Sequence, residues 1–437
     1  MEKEILKKVI IEWQEFKFPE LLDREYHIPL DSLKIISITG PRRSGKTSLL
    51  YILIQKLIRS GVSKDRILFI NFDDPGLAPF DALGIEKLLE SYNELYPENL
   101  KVINYIFFDE IQNVKNWETA IRRINDTKKF NIFLTGSSSK MLSSEIASVL
   151  RGRSINFEIM PFSFKEIMTA KKIELYKNII YSQKRFAIIN ILNSYFEFGG
   201  FPEIVLETNN ELKIRILKEY LETTFFKDLA ERYNIKNQQL MRELIRYLAT
   251  NISSVFSLNS FYKWIKQTYP ITKRTLINYT NYLQDISLFS MLKKYAGSLK
   301  QQILAPRKNY LVDIGFRNVY GFRFSEDKGK VLENTVFIEL KQRMIRNPLM
   351  EVYYWNNYKK QEVDFVVKMG KALEALIQVC FELNDFKTRA REINSLISAS
   401  EDLGCKNLIV ITLDYSGEEK TSGKKIIFKP IWEWLIG

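Results

Sequence analysis

The sequence predicts an α/β protein whose core is a doubly wound, parallel β-sheet, and two observations support this class. Up to about residue 160, short β-branched runs alternate with longer runs of helical period. A glycine-containing loop, Gly40–Thr47, also lies between a β-type run and a helical run. Strand–helix alternation of this kind is typical of parallel sheets, whose ligands bind at the carboxyl ends of the strands.

The elements follow one another in a regular order. Five strands are predicted before about residue 160, each followed by turn-type or polar residues: Lys34–Thr39, Arg66–Phe72, Ile103–Phe108, Asn131–Thr135 and Ile155–Ile159. Helical stretches are predicted between them, including Lys46–Ser60 and Trp117–Thr127. From about Phe164 to Tyr233 the period is helical, with a turn at Phe198–Pro202. Beyond Pro306 the pattern becomes mixed again.

The bulk composition indicates a basic chain with several globular domains. Of its 437 residues 46% are hydrophobic and 27% are charged, so about three domains can each bury a core. The excess of 65 Lys and Arg over 52 Asp and Glu suits a polyanionic partner, although a Lys-rich proteome gives a milder excess. Two cysteines, Cys380 and Cys405, and one histidine, His27, argue against a disulfide framework, zinc sites and a Ser-His-Asp triad.

The chain carries no pattern of secretion or membrane insertion. Its first residues alternate charged and apolar side chains and lack the apolar core of a signal peptide. No apolar stretch reaches the roughly 18 residues that a membrane helix needs. We therefore expect a cytoplasmic protein.

The loop after the first predicted strand has the residues of a P-loop. Gly40-x4-Gly45-Lys46-Thr47 satisfies G-x4-G-K-[ST] in the strand–loop–helix context that the motif requires, and a chance match is the alternative. Glycines let backbone N–H groups turn inward, and the helix adds the positive end of its dipole. Lys46 can reach the β- and γ-phosphates, and the Thr47 hydroxyl can bind Mg²⁺. The predicted ATP-binding residues are Gly40, Pro41, Arg42, Arg43, Ser44, Gly45, Lys46, Thr47 and Ser48.

Two adjacent carboxylates end another predicted strand, Ile103–Phe108. Asp109 is the predicted Mg²⁺ ligand, because a carboxylate at this place in a P-loop protein holds the metal and its water shell. Glu110 is the predicted general base, which polarises the attacking water. The alternative is that two acids begin a solvated loop.

The strand Asn131–Thr135 leads into a run of hydroxyl side chains. Ser137 is the predicted sensor of the γ-phosphate and a catalytic residue, with Thr135 as the second choice. The alternative for the following serines is a helix cap for the run Lys140–Leu150.

Basic residues follow in the stretch Leu150–Ser154. Arg153, or its neighbour Arg151, is predicted to stabilise charge in the transition state, either within the chain or across a subunit interface. Basic residues near a helix end also complement the helix dipole, so this simpler role is the alternative.

The chain resembles the AAA+-type ATPases of archaea and bacteria that carry a C-terminal nuclease-like module. Six stretches carry the resemblance: Gly-Pro-Arg-Arg-Ser-Gly-Lys-Thr, Phe-Phe-Asp-Glu-Ile-Gln, Leu-Thr-Gly-Ser-Ser, Leu-Arg-Gly-Arg-Ser, Pro-Phe-Ser-Phe and Phe-Gly-Gly-Phe-Pro. They span the first half of the chain. The resemblance implies an additional-strand P-loop NTPase core, a helical lid and ATP as ligand.

The middle of the chain concentrates positive charge. Residues 259–308 hold nine basic residues and one acid. Helical patterns at Leu258–Lys266 and Thr272–Leu283, then a strand at Leu288–Tyr295 that turns at Ala296-Gly297 into a second, match the winged helix-turn-helix plan, with Thr272 as an N-cap. The DNA-binding candidates are Lys263, Lys273, Arg274, Thr275, Asn278, Lys293 and Lys294. Tyr279 and Tyr282 can pack or stack, and a protein-docking role is the alternative.

The last part of the chain resembles the PD-(D/E)xK nucleases. Strands are predicted at Glu351–Trp355, Val363–Lys368, Ala375–Cys380 and Leu408–Leu413. The helical acid Glu333 and the strand acid Asp364 match two stations of the nuclease metal site. At the third station Gln378 replaces the acid and Cys380 replaces the lysine. We therefore expect a degenerate site, without nuclease activity, that serves docking or inactive nucleic-acid binding.

These patterns together predict four domains and an ATPase. The predicted boundaries are 1–163 for the P-loop core, 164–234 for the helical lid, 235–305 for the winged helix and 306–437 for the nuclease-like domain. The predicted function is Mg²⁺-dependent ATP hydrolysis coupled to DNA binding or remodelling. Two alternatives are a nucleotide-dependent signalling switch that binds a protein partner, and an ATP-gated nuclease.

Overall fold

A division into two units organises the fold. The computed structural model describes residues 2–136, 150, 152–174, 179, 182–322, 327–383 and 385–437. One unit ends at Met160 and the other begins at Pro161. Among the described helices, none is long and apolar enough to cross a membrane.

The first unit is built on a five-stranded sheet in which all paired strands are parallel. Its strands are β1 (Ile35–Thr39), β2 (Ile67–Asn71), β3 (Asn104–Asp109), β4 (Phe130–Gly136) and β5 (Ser154–Glu158). Their order is β2-β3-β4-β1-β5, so β4 is inserted between the strand before the P-loop and the strand that ends in Asp109. The predicted α/β class and P-loop NTPase sheet are confirmed.

Helices and short 3₁₀ turns cover this sheet. The helices are α1 (Lys3–Glu15), α2 (Lys46–Arg59), α3 (Ala82–Leu95) and α4 (Trp117–Asp126), and the turns are Lys64–Arg66, Pro75–Leu77, Pro97–Lys101 and Ile111–Asn113. Helix α1 was not predicted, because charged residues interrupt its apolar face. That face is nevertheless buried through Leu6, Ile10 and Trp13, and the Trp13 indole donates a hydrogen bond to the Ile67 carbonyl at 2.7 Å.

The second unit begins with helices. They are α5 (Phe164–Ala170), α6 (Lys184–Phe198), α7 (Pro202–Leu206) and α8 (Asn210–Thr223), which continues into a π-helix (Thr224–Glu231). A capping box starts α5, since Ser163 accepts the Glu166 N–H at 3.0 Å and the Glu166 carboxylate accepts the Ser163 N–H at 2.9 Å. The turn between α6 and α7 is held by Asp313, whose carboxylate accepts the Gly200 N–H at 2.6 Å.

A small helical region with a three-stranded antiparallel sheet follows. Its elements are α9 (Gln238–Thr250), β6 (Ser254–Phe256), α10 (Leu258–Ile265), α11 (Lys273–Asp285), β7 (Phe289–Leu292), α12 (Leu299–Leu304) and β8 (Arg307–Leu311), with strand order β6-β8-β7.

The connection between β7 and β8 differs from the prediction. The predicted strand Leu288–Tyr295 ends at Leu292, because the next residues pair with Tyr354 instead of continuing beside β8. The Tyr354 N–H donates to the Lys293 carbonyl at 3.0 Å. The predicted turn at Ala296-Gly297 leads into α12, which begins after Ser298 because its hydroxyl accepts the Gln301 N–H at 3.3 Å.

A six-stranded mixed sheet completes the second unit. Its strands are β9 (Met350–Asn356), β10 (Glu362–Met369), β11 (Ala372–Cys380), β12 (Leu408–Thr412), β13 (Gly417–Thr421) and β14 (Lys424–Pro430), in the order β13-β14-β12-β11-β10-β9. The accompanying helices are α13 (Ile314–Tyr320), α14 (Lys328–Arg346), α15 (Phe386–Leu403) and α16 (Ile431–Ile436). The four strands predicted here are present, whereas β13 and β14 were missed because charged residues break their pattern.

Candidate active site

The P-loop runs from the end of β1 to the start of α2 and needs unusual backbone angles. Gly40, Arg43 and Gly45 have φ values of 149°, 66° and 93°. A Cβ atom on Gly40 would lie 2.1 Å from the carbonyl oxygen of Ile159, so only glycine fits beside the end of β5. The loop is therefore shaped by its glycines and by a neighbouring strand.

Lys46 projects back over the loop that precedes it. Its side chain is buried, and its ammonium donates hydrogen bonds to the carbonyls of Gly40 at 3.3 Å and Pro41 at 3.1 Å. The same ammonium lies 3.8 Å from the Glu110 carboxylate. A positive charge is thus fixed at the mouth of the loop, next to the predicted base.

Asp109 receives hydroxyl groups from two other elements. The Thr47 hydroxyl donates to Oδ2 at 2.6 Å, and the Thr135 hydroxyl donates to Oδ1. Burial and the charge of Glu110 raise the pKa of Asp109 to about 6, whereas Thr135, Thr47 and Lys46 lower it. A cation next to this carboxylate would keep it ionised at neutral pH.

Glu110 is oriented by contacts on both sides. Its backbone has φ 51°, its N–H donates to the Thr135 hydroxyl oxygen at 2.9 Å, and its carboxylate accepts a hydrogen bond from the Gln112 amide. Thr135, the second choice as the polar sensor, thus bridges both acids. The first choice, Ser137, lies outside the described residues, and so does Arg151.

Arg153 lies at the other end of the sheet from the P-loop. Its carbonyl accepts the N–H of Ile35, the first residue of β1, and its guanidinium pairs with Asp126 at 3.2 Å. Because the P-loop follows the last residue of β1, Arg153 is too far away to act on the phosphates of its own loop. The cis role predicted for it is therefore wrong, and the role across a subunit interface stays a prediction.

Arg24 contacts the P-loop and was not predicted, because no motif around it signals this contact. Its guanidinium is buried and donates to the carbonyls of Ser44 at 2.9 Å and Met160 at 2.7 Å. The Tyr26 hydroxyl accepts the Met160 N–H at 3.0 Å. The segment before β1 thus ties the P-loop to the end of the first unit.

The DNA-binding candidates at the start of α11 lie at the surface. Thr272 caps this helix by accepting the Thr275 N–H at 3.2 Å. Lys273, Arg274 and Asn278 are exposed, whereas Thr275 is half-buried. A cationic helix end is therefore presented to solvent.

The other DNA-binding candidates and the two tyrosines of α11 differ in their exposure to solvent. The other candidate cations are exposed or half-buried: Lys263 on α10, and Lys293 and Lys294 after β7. Tyr279 is buried, and Tyr282 stacks on Tyr233 with ring centroids 3.9 Å apart. The tyrosines therefore pack within the protein.

The candidate nuclease acids meet around a lysine from the basic stretch. Lys308 is buried, with its ammonium 2.8 Å from Glu333 and 2.9 Å from Asp364. Burial lowers the pKa of Lys308, but Asp364 and Glu333 raise it well above its usual range. Lys308 is thus no part of the surface charge to which the sequence assigns it. Gln378 lies beside this cluster, since its side-chain oxygen accepts the Asp364 N–H at 3.2 Å.

Three family models match the chain. Residues 32–168 match a model described as an AAA domain. Residues 189–326 and 328–434 match two models described as domains of unknown function, DUF8612 and DUF4143. The P-loop, Asp109, Glu110 and Thr135 all lie within the AAA-type domain.

Similar proteins include two curated relatives and a solved structure. The uncharacterized protein MJ1544 of Methanocaldococcus jannaschii is 37% identical over 448 residues, which cover 100% of this chain and 96% of that protein. An uncharacterized protein of Haemophilus influenzae is 28% identical over 409 residues, covering 93% and 94% respectively. The Walker-type ATPase PABY2304 of Pyrococcus abyssi aligns with a TM-score of 0.43 and 15% identity, covering 73% of this chain and 95% of that chain.

Proposed function

The chain belongs to the same family as MJ1544 of Methanocaldococcus jannaschii, and on this premise we propose that it is a Mg²⁺-dependent ATPase that couples hydrolysis to DNA binding or remodelling. The observation that carries the ATPase assignment is the meeting of Thr47 and Thr135 on the two oxygens of Asp109, beside Lys46 and Glu110. A P-loop NTPase needs such a set of residues to bind the phosphates and Mg²⁺ and to activate water.

The loop residues bind the triphosphate of the substrate. The backbone N–H groups of residues 42–47 and the amino end of α2 attract phosphate oxygens. The Lys46 ammonium, which rests on two loop carbonyls, turns to the β- and γ-phosphates when they arrive. In this position the ammonium lies between the phosphates and the carboxylate of Glu110.

The donor set also fits a magnesium ion. Thr47 and Asp109 supply hard oxygen ligands 2.6 Å apart, the type that Mg²⁺ prefers. When bound, Mg²⁺ neutralises negative charge on the β- and γ-phosphates. Thr135 holds the other oxygen of Asp109 and so fixes the plane of the carboxylate.

Glu110 accepts a proton from the attacking water. Its carboxylate is oriented by Gln112, and its backbone is fixed through Thr135. A base held in this way needs little reorganisation when the water attacks. Ser137 remains the proposed contact to the γ-phosphate, and Arg153 a proposed contribution to the site of a neighbouring subunit.

Replacing Arg24 with alanine is expected to raise the KM for ATP about tenfold while kcat changes less. Two hydrogen bonds from a charged donor are lost, one to the P-loop carbonyl of Ser44 and one to the carbonyl of Met160 after β5, and each contributes roughly 1.5–3 kcal/mol. Steady-state ATP hydrolysis measures this split, with Arg122→Ala, an exposed arginine of the same unit, as the matched control. An unchanged KM would show that Arg24 does not position the loop.

The rest of the chain is proposed to contain a helical lid (164–234), a winged helix that begins at 235, and a nuclease-like domain that ends at 437. The boundary expected between residues 305 and 306 is wrong, because β8 (Arg307–Leu311) pairs with β6 and β7 in the small sheet. The order α9, β6, α10, α11, β7, α12, β8 supports a winged helix, because it places two helices between the first and second strands of a small antiparallel sheet. In this arrangement α11 is the recognition helix.

DNA is the proposed polyanionic partner. Lys273 and Arg274 are exposed at the amino end of α11, where phosphate contacts of a recognition helix lie. Asn278 is exposed one turn later and can donate to a base edge. ATP hydrolysis would then change how the lid and the C-terminal parts sit on DNA.

The double variant Lys273→Ala/Arg274→Ala is expected to weaken DNA binding at least tenfold and to remove DNA stimulation of ATP hydrolysis. The loss of two phosphate contacts lowers the slope of log affinity against log salt by about 2. Binding to duplex and single-stranded DNA across a salt series, together with phosphate release, measures both effects.

The matched control is Lys387→Ala/Lys406→Ala, which removes the same charge from exposed positions in the C-terminal part. If the wild-type ATPase is indifferent to DNA, or both double variants behave alike, the DNA assignment fails.

A signalling switch that binds a protein partner is the second candidate. A groove of about 610 Å³ lies between α11, α12 and the small sheet, and its lining includes exposed apolar side chains of Ile277, Ile303 and Leu304. Such a surface suits a protein better than a nucleic acid. ATP turnover that is independent of DNA in the same assay would favour this candidate.

A further inference from the structure

A buried cluster of opposite charges joins the small antiparallel sheet to the C-terminal mixed sheet. The ammonium of Lys308, on β8, lies 2.8 Å from Glu333 Oε1, 2.8 Å from Glu362 Oε1 and 2.9 Å from Asp364 Oδ1. The Lys308 side chain is only 2% exposed. Three carboxylates from α14 and β10 thus converge on one cation.

The ammonium lies at the place where a metal would have to bind. A Mg²⁺ or Ca²⁺ ion needs carboxylate oxygens at roughly 2.0–2.6 Å. The same three oxygens already surround the Lys308 nitrogen at hydrogen-bond distances. A metal ion and the ammonium therefore exclude each other, because both need the centre of this carboxylate triangle.

Two of the three carboxylates accept further hydrogen bonds. Asp364 Oδ2 accepts the Val379 N–H at 2.9 Å, and Glu333 Oε1 also accepts the Tyr310 hydroxyl at 2.6 Å. These contacts orient the carboxylates toward Lys308. Glu333 and Asp364 are thus hydrogen-bonded to the protein in addition to their contacts with Lys308, which favours a stable buried ion pair.

The third nuclease station does not supply what a metal needs. The Gln378 amide is used on both sides, since its oxygen accepts the Asp364 N–H at 3.2 Å and its nitrogen donates to Glu392. Within the described part of the chain, no group of three or more His, Cys, Asp or Glu side chains is arranged to hold a metal ion.

We propose that the Lys308 ammonium is the resident cation of this pocket and takes the place of the divalent ion that the nuclease resemblance implies. The residues present do not fit a metal while Lys308 is in place. The pocket then holds β8 against β10 and α14 without a metal, and the module does not hydrolyse phosphodiesters. This inference is independent of the ATPase assignment.

The test uses the full-length, nucleotide-free protein and Mn²⁺ as the probe. In the wild type, Mn²⁺ binding followed by electron paramagnetic resonance is expected to be the same as in Asp364→Asn. Lys308→Ala is expected to gain one Mn²⁺ site, because three hard oxygen ligands and space for water remain. Its melting temperature should then rise by roughly 5 °C or more in Mn²⁺, against no rise in the wild type.

Two further variants isolate the pocket. Lys308→Ala/Asp364→Asn should lose the gained Mn²⁺ site, and Lys300→Ala, an exposed lysine of α12, should behave as the wild type. An Asp364-dependent Mn²⁺ site in the wild type, or Mn²⁺-dependent nicking of supercoiled DNA that Asp364→Asn abolishes, overturns the proposal. A folded Lys308→Ala that gains no site also overturns it, and if that variant does not fold, the wild-type comparison decides alone.

Discussion

Lys46→Ala is expected to lower ATP turnover by roughly 10²- to 10³-fold, the loss typical of one preorganised electrostatic group. The lysine is buried, and two loop carbonyls hold its ammonium within 3.3 Å. Alanine would leave the phosphates to the loop amides alone. Because the proposed role of the ammonium is to contact the β- and γ-phosphates both in the bound substrate and in the transition state, nucleotide affinity should fall together with turnover.

Glu110→Gln separates binding from chemistry. Glutamine has nearly the same shape, so Lys46 and the loop stay in place, but an amide cannot accept the proton of the attacking water. Turnover should fall about 10²- to 10⁴-fold while ATP still binds. A fluorescent ATP analogue reports binding, and released phosphate reports turnover.

Two variants control for charge and fold. Lys56→Ala changes a partly exposed lysine on the same helix, and Glu98→Gln changes an exposed acid of the same unit. Both should hydrolyse ATP at the wild-type rate. Undiminished turnover in Lys46→Ala or Glu110→Gln would sink the ATPase assignment.

The grouping of Lys46, Thr47 and Asp109 could be predicted because local patterns and one topological rule suffice. The P-loop follows one strand and Asp109 ends another, and the carboxyl ends of parallel strands share one edge of the sheet. The structure places them there, with β4 between the two strands. Thr135 is the next-to-last residue of β4 and contacts both acids, so its place as a candidate also follows from this rule.

Arg24 and Lys308 could not be predicted because each acts through contacts distant in the sequence. Arg24 reaches Ser44 and Met160, and no local pattern signals such a contact. Lys308 belongs to a basic stretch of the sequence, and this pattern alone suggests a cation at the surface. The strand period offered a signal, since Lys308 and Tyr310 lie two residues apart on one face of β8 and both contact Glu333.

Gly199→Ala is expected to destabilise the second unit by at least about 4 kcal/mol, from backbone strain and a broken buried contact. Gly199 has φ 79°, and a Cβ atom there would lie 1.8 Å from Asp313 Oδ1. The carboxylate has no room to retreat, because it also accepts the N–H groups of Gly200 at 2.6 Å and Gly315 at 2.9 Å. The methyl group must therefore displace the only described acceptor of two buried backbone donors.

Hydrogen exchange resolved by peptide, measured at increasing urea, assigns the loss to residues after Pro161 and leaves the first unit as a reference. Gly297→Ala is the matched control, because its Cβ would meet nothing within 4 Å. That variant should change stability by less than about 1 kcal/mol. If Gly199→Ala exchanges like Gly297→Ala, the turn tolerates a side chain and Asp313 does not hold it. Loss of protection confined to the α6–α7 turn and the start of α13 would instead show that the contacts of Asp313 are the reason why this turn, Phe198–Pro202, requires glycine.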